Sequence, residues 1–207
     1  MSQGRGGLQG ERTRKHIRRA LVELVEEKGF AAVTVGDIAE RALINRATVY
    51  RYYRDKHALV EEIFHEVISE LPTGLDPSGH VPAQERVAGW EQVFEHVGAH
   101  HRVYAALLGR RGDPGFVARL RDRCVELARY RLRAVHNAGT STGGAPGTAD
   151  YVASVELELA LAANLVVGAI SWWLEHQRPC SAHRMAEAIT RIAIHGYFGA
   201  VGINATG

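Results

Sequence analysis

The sequence predicts an all-α protein of about nine helices, with a small three-helix N-terminal head and a larger helical body. Three observations predict this class. Apolar residues recur at helical spacing in almost every segment, and none alternates like a strand. The clearest interruptions, residues 72–82 (PTGLDPSGHVP) and 137–148 (NAGTSTGGAPGT), are built from Pro, Gly, Ser and Thr. Two short periodic segments, Val35–Ala42 and Arg46–Tyr53, are joined by only a few residues, which is helix-turn-helix spacing.

Taken in order, Ile17, Ala20, Leu21, Leu24 and Val25 make the stripe of a first helix that stops at Gly29. Thr34 precedes the short second segment with Asp37 three residues on, the spacing of a capping box. Asn45 is an N-cap for the third segment, and Ile44 and Val49 sit where a hydrophobic staple closes the turn. Asp55 caps a longer helix from Lys56 to about Leu71, striped by Leu59, Val60, Ile63, Val67 and Leu71. Beyond the first break come helices at Ala83–His101, Val103–Leu108 and Pro114–His136. After the second come Ala149–His176 and Ser181–Val201, with a turn at Arg178–Cys180. A domain boundary is expected at residue 57, dividing 1–57 from 58–207.

Charge separates the same two parts. Residues 1–57 hold 12 Lys+Arg against 7 Asp+Glu, whereas the remainder holds 13 against 16. A basic head on a mildly acidic body places any polyanion at one end. Cys124 and Cys180 are too few for a disulfide framework and fit a reducing cytosol. Met1–Gly10 lacks the apolar core of a signal peptide. The longest apolar stretch, Leu159–Leu174, is interrupted by Asn164 and is shorter than the ~20 residues of a membrane span, so a buried helix and a cytoplasmic protein are expected.

On the third segment, 100° per residue turns Val49 and Tyr53 toward the preceding helix. Arg46, Ala47, Thr48, Tyr50 and Arg51 then face outward. That set offers a guanidinium for guanine, small groups for close approach, and hydroxyls for phosphate oxygens. Lys56 adds positive charge at a helix start already attractive to phosphate. Periodicity alone also fits a small helical subdomain with solvated arginines.

The blocks KGF (Lys28–Phe30), TVGDIAERA (Thr34–Ala42) and NRATVYRYYRDKHALVEEIF (Asn45–Phe64) resemble the DNA-binding domain of the tetracycline-repressor (TetR) family. The segment Ser171–Ile189, SWWLEHQRPCSAHRMAEAI, more loosely resembles the end of one group of that family's regulatory domains. Leu43 stands where the family usually has Gly, Tyr52 and Tyr53 where His and Phe are commoner, and Gly36 loosens the second helix. The resemblance implies a homodimeric, ligand-responsive transcriptional regulator, a repressor more often than an activator. It implies that Thr34, Tyr50, Tyr52 and Lys56 hold the phosphate backbone of double-stranded operator DNA. Asn45, Arg46, Ala47 and Arg51 match positions that meet base edges, and Thr48 fits either role. The basic arm (Arg5, Arg12, Arg14, Lys15) is open to phosphate or minor-groove contacts, or to being a plain solvated tail.

In the body, the helix at 149–176 is apolar nearly all round after Leu157. With the last helix it resembles the pair that forms a four-helix dimer interface in this family, with Val166, Ile170, Trp173, Ile189, Ile192, Ala193, Gly196 and Tyr197 as candidate contacts. Burial in a monomer core is the other reading. Candidate effector-pocket walls are Trp90, Phe94, Tyr104, Phe116, Leu120, Leu127 and Trp172, with Asn164 as an orienting polar group or a cross-dimer hydrogen bond. His96 and His100 have metal-compatible i,i+4 spacing without a Cys or evident carboxylate to complete a site. Cys124 and Cys180 lack a CxxC pattern. No nucleophile elbow, Walker loop, HExxH or dinucleotide fingerprint is present, so neither an enzyme nor a cofactor is expected. A helical small-molecule- or metal-binding protein that never touches DNA is the competing class.

Overall fold

A computed structural model of the chain describes the backbone of residues 3–71, 82–137 and 149–200, and the side chains of 9–71, 82, 84–130 and 153–194. Among these residues all regular secondary structure is helical. The helices are α1 (Gln3–Lys28), α2 (Val35–Arg41), α3 (Arg46–Tyr52), α4 (Lys56–Ser69), α5 (Ala83–Ala99), α6 (His101–Leu108), α7 (Pro114–Asn137), α8 (Ala149–Glu175) and α9 (Ala182–Ala200). A single 3-10 turn, Phe30–Ala32, lies between α1 and α2 and has no counterpart in the periodicity. The N-terminal arm is helical rather than extended, because α1 begins at Gln3. Arg5 falls outside the residues whose side chains are described.

The chain forms two compact units. The first comprises Met1–Glu70 and His100–Val117, the second Leu71–Ala99 and Ala118–Gly207. The first unit therefore extends past residue 57: it includes α4, α6 and the first turn of α7. The reason is shared apolar surface. Leu59, Val60, Ile63, Phe64 and Val67 of α4 are buried, as are Ile17, Leu21, Leu24 and Val25 of α1 and Tyr104, Leu107 and Leu108 of α6. Phe116 meets Phe64 edge-on at 5.3 Å and Tyr104 at 6.1 Å, in the favourable T-shaped arrangement.

Gly29 is fixed in this unit for two reasons. Its φ of 79° is left-handed, and a Cβ there would lie 3.0 Å from the Arg111 side chain. The adjacent Phe30 amide donates to the Arg111 carbonyl at 2.8 Å. Asp113, buried, caps α7 by accepting from the Phe116 amide at 3.0 Å.

In the second unit α5 lies along α9, tied by His183 to Glu91 at 2.9 Å. Glu91 and Glu187 hold the His183 pKa above the ordinary imidazole value. Helix α8 spans the expected residues, but Ala153–Glu175, longer than the apolar run Leu159–Leu174, meets the length and composition of a membrane span. Its burial is nevertheless one-sided. Leu159, Ala163, Val167, Ile170, Trp173 and Leu174 are buried, whereas Leu157, Leu161 and Trp172 are exposed.

Candidate nucleic-acid interface

The turn between α2 and α3 is a Schellman closure. The Leu43 amide donates to the Glu40 carbonyl at 3.1 Å and the Ile44 amide to the Ala39 carbonyl at 3.0 Å, satisfying the last carbonyls of α2. Leu43 occupies the left-handed position of this motif with φ 56°, and its side chain is 92% exposed. A glycine is usual at such a position because a Cβ there costs energy.

The starts of α2, α3 and α4 are each capped by a side chain. Thr34 and Asp37 form the complete capping box: the Asp37 amide donates to Thr34 Oγ1 at 3.2 Å, and the Thr34 amide and hydroxyl both donate to Asp37 Oδ2 at 2.7 Å. Lys28 stands 2.8 Å from the same oxygen. The Lys28 ammonium, then the Thr34 hydroxyl and amide, hold the Asp37 carboxyl well below the usual carboxylate range. Asn45 Oδ1 accepts from the Ala47 amide at 2.8 Å, and Asp55 Oδ1 from the Ala58 amide at 2.8 Å.

With both ends pinned, α3 presents two faces. Val49 and Tyr53 are buried with Ile38 and Ala39 of α2. Asn45, Arg46, Ala47, Tyr50 and Arg51 are exposed, with Thr48 and Tyr52 half-buried at the border. The arginines rest on tyrosines. Arg46 lies over the Tyr50 ring at 5.5 Å and donates to its hydroxyl at 3.1 Å. Arg51 lies 5.2 Å from the Tyr52 ring centroid, and Arg14 of α1 lies 5.6 Å from the same centroid. No local pattern links α1 to Tyr52, since the two are far apart in the chain.

Ion pairing divides the cations of this region. Arg18, Arg19, Lys28, Arg41 and Arg54 each pair with a carboxylate. Among the described residues, Arg12, Arg14, Lys15, Arg46 and Arg51 have no carboxylate partner. Unneutralised charge is thus concentrated on the exposed face of α3 and the early turns of α1.

Two expected phosphate contacts are committed elsewhere. Lys56 Nζ donates to the carbonyls of Phe30 (2.8 Å), Ala31 (3.2 Å) and Val33 (2.8 Å), and sits 4.5 Å from the centre of the Phe30 ring. An ammonium has three donors, and all three are occupied. Lys56 thereby holds the 3-10 turn against the start of α4. Thr34 likewise gives its hydroxyl and amide protons to Asp37.

Tyr53, the position where Phe is commoner in the TetR-like pattern, uses its hydroxyl. It donates to Glu62 Oε1 at 2.7 Å, and Arg18 donates to that oxygen at 3.2 Å while also pairing with Glu66. Burial, then Glu62, raises the Tyr53 pKa. Periodicity revealed the ring of Tyr53 but not this network, whose partners lie on α1 and α4.

The body residues need several corrections. Tyr104 and Phe116 belong to the core of the first unit, so they do not share a pocket wall within the second unit with Trp90, Phe94, Leu120 and Leu127. The two adjacent tryptophans lie on opposite faces of α8. Trp173, expected on the dimer face, is buried edge-on against Phe94 at 5.5 Å and donates its indole N–H to the Cys180 carbonyl at 2.8 Å. Trp172, expected in the pocket, is 48% exposed and stacks on His176 at 4.8 Å. Ile170 and Ile189 are also buried within the chain, whereas Val166 and Ile192 are half-buried and Ala193 is exposed. Gly196 and Tyr197 lie outside the described side chains. Asn164 is exposed, accepts from Arg121 Nε at 3.1 Å and donates to the Ala160 carbonyl at 2.8 Å. His96 is buried at the end of α5, while His100 belongs to the first unit and lies 3.0 Å from Glu70. Neither Cys124 nor Cys180 forms a disulfide among the described residues.

Residues 17–63 match the family model described as bacterial regulatory proteins, tetR family. The chain carries a tetR-family head. An uncharacterized HTH-type transcriptional regulator of Bacillus subtilis, YdeS, is 44% identical over 64 residues, covering 31% of this chain and 32% of that protein. The matched segment spans about a third or less of the first curated relatives' length. The fold similarity extends further. A TetR-family structure from Syntrophomonas wolfei aligns with TM-score 0.65 and 13% identity, covering 95% of this chain and 99% of that one. The Bacillus subtilis regulator FadR, solved in complex with stearoyl-CoA, aligns with TM-score 0.61 and 14% identity over 88% of this chain and 98% of that one. The tetR-family head is thus followed by helices in the arrangement of tetR-family regulators.

Proposed function

We propose that this chain is a sequence-specific DNA-binding transcriptional regulator, a cytoplasmic repressor released from its operator by a small-molecule effector. The observation that carries the proposal is the cluster of cations that, among the described residues, lack carboxylate partners on the outer face of α3 and on α1, whereas Arg18, Arg19, Lys28, Arg41 and Arg54 are paired. Lys and Arg without acidic partners are what displace counterions from a duplex. In this reading Asn45, Arg46 and Ala47 at the start of α3 approach base edges, with Arg51 and Thr48 beside them. Tyr50, Tyr52 and Arg14 lie along the phosphates. Lys56 and Thr34 support the geometry rather than touching DNA.

One α3 covers few base pairs, so useful affinity needs two heads about 34–36 Å apart on a dimer. The exposed apolar side of α8 and α9, with Leu157, Leu161, Trp172 and Ile194, is the surface we assign to the second copy. An effector that prefers a dimer with a different head spacing shifts the population away from the operator-bound form. FadR of Bacillus subtilis, a structural neighbour, was solved in complex with stearoyl-CoA.

A salt-titrated gel shift with the DNA upstream of the chain's own gene tests the reading. A retarded band that weakens steeply with salt and outcompetes random DNA is expected. No binding at low salt leaves the competing class, a helical ligand-binding protein that does not touch DNA.

A further inference from the structure

We propose that the first unit contains a small-molecule site of its own, a cleft between α1, α4 and α6 that takes an organic carboxylate with a short aliphatic body. The cleft has a volume of about 430 Å³, within the roughly 300–1,000 Å³ of small-ligand sites. Its floor is aliphatic: Val22, Ile63 and Val67 are buried, and Val103 is half-buried.

Charged side chains ring this floor, and their commitments decide the sign of the ligand. Arg18 spends its two terminal nitrogens on Glu62 and Glu66. Arg19 pairs with Glu23, Arg102 with Glu26, and His100 lies 3.0 Å from Glu70. Two cationic donors are left over. Arg18 Nε is buried with no hydrogen-bond partner, and Lys15, also in the lining, has no carboxylate partner among the described residues. A buried guanidinium N–H without an acceptor costs stability, and a bound carboxylate oxygen supplies that acceptor once the Arg18 side chain turns toward the cleft. The valines then cover the alkyl body, which water solvates poorly. Glu11, one turn before Lys15, is the opposing group: it tempers the affinity for an anion and is the handle for testing the sign.

The occupant also reaches the recognition helix. Arg18 shares Glu62 with the Tyr53 hydroxyl at the end of α3, so drawing Arg18 into the cleft weakens the anchor of that helix. This consequence rests on the DNA-binding reading, whereas the site does not.

Calorimetric titration of the full chain with sodium octanoate, with sodium phosphate as competitor, tests the site without DNA. Saturable binding is expected that phosphate does not displace. Lys15→Gln should weaken it by about fivefold, Glu11→Gln should tighten it, and Val103→Phe should block it by filling the floor. Lys15 and Glu11 are exposed, so their variants remain informative if Val103→Phe does not fold. No binding at millimolar octanoate overturns the site. So does binding that Lys15→Gln and Glu11→Gln leave unchanged, which would place it elsewhere. Tightening by Lys15→Gln with weakening by Glu11→Gln would assign the cleft to a cation and equally overturn the proposal.

Discussion

Leu43 shows how much a single backbone angle decides. It holds the left-handed position of the Schellman closure at φ 56° with its side chain in solvent, so its Cβ is strained and its side chain gains no burial. Leu43→Gly is expected to raise stability by up to ~1 kcal/mol, the relief of strain being partly offset by glycine's greater unfolded-state entropy. Chemical denaturation checks this, and a loss of stability would mean that Leu43 packs on something in solution. Lys56 makes the opposite case: its three hydrogen bonds to the carbonyls of Phe30, Ala31 and Val33 are all internal. Lys56→Met should therefore destabilise the head by ~1–3 kcal/mol while leaving the salt dependence of DNA binding intact. Unchanged stability with a flatter salt dependence would return Lys56 to the phosphate. Thr190 of α9 is 4% exposed and its hydroxyl has no hydrogen-bond partner. Replacing it with the near-isosteric Val should stabilise the chain by ~1 kcal/mol, measured as a higher thermal midpoint.

At the scale of elements, helix starts were legible because capping is local. The spacings Thr34–Asp37 and Asn45–Ala47 contain their own partners, and the observed hydrogen bonds are the ones those spacings require. The capping box also carries a pH signature. Lys28 and Thr34 depress the Asp37 pKa in the folded state, so its contribution is complete above the ordinary carboxylate value of ~4 and is lost on acidification below it. Asp37→Asn should remove that part of the acid sensitivity, read as a smaller fall in thermal midpoint between neutral pH and pH 3. The facing of long apolar helices was less legible. In α8, apolar residues occupy both the buried and the exposed sides, so periodicity could not assign the adjacent Trp172 and Trp173 to their faces. What assigns them is tertiary: the edge-on contact of Trp173 with Phe94 and its bond to the Cys180 carbonyl. The 3-10 turn escaped for the same reason, since its amide and carbonyl partners lie on Arg111 and Lys56.

For the whole molecule, the charge split between residues 1–57 and the remainder places the expected cationic surface at the N-terminal end. It could not show which of those charges are available, because ion pairing joins residues distant in sequence, as Arg18 joins Glu62 and Glu66. Among the described residues, Arg46 and Arg51 have no carboxylate partners on the outer face of α3, and Arg14 joins them from α1. Binding of the chain to its upstream DNA, followed by fluorescence anisotropy over a range of salt concentrations, tests this most directly when the wild type is compared with Arg46→Ala and Arg14→Ala. Arg46→Ala should cost about 1–3 kcal/mol on the operator and much less on random DNA, while Arg14→Ala should weaken both alike and reduce the salt slope by about one. Wild-type affinity and salt slope retained in both variants, with the fold intact, would contradict the assignment of α3 and α1 as the DNA-contacting surface.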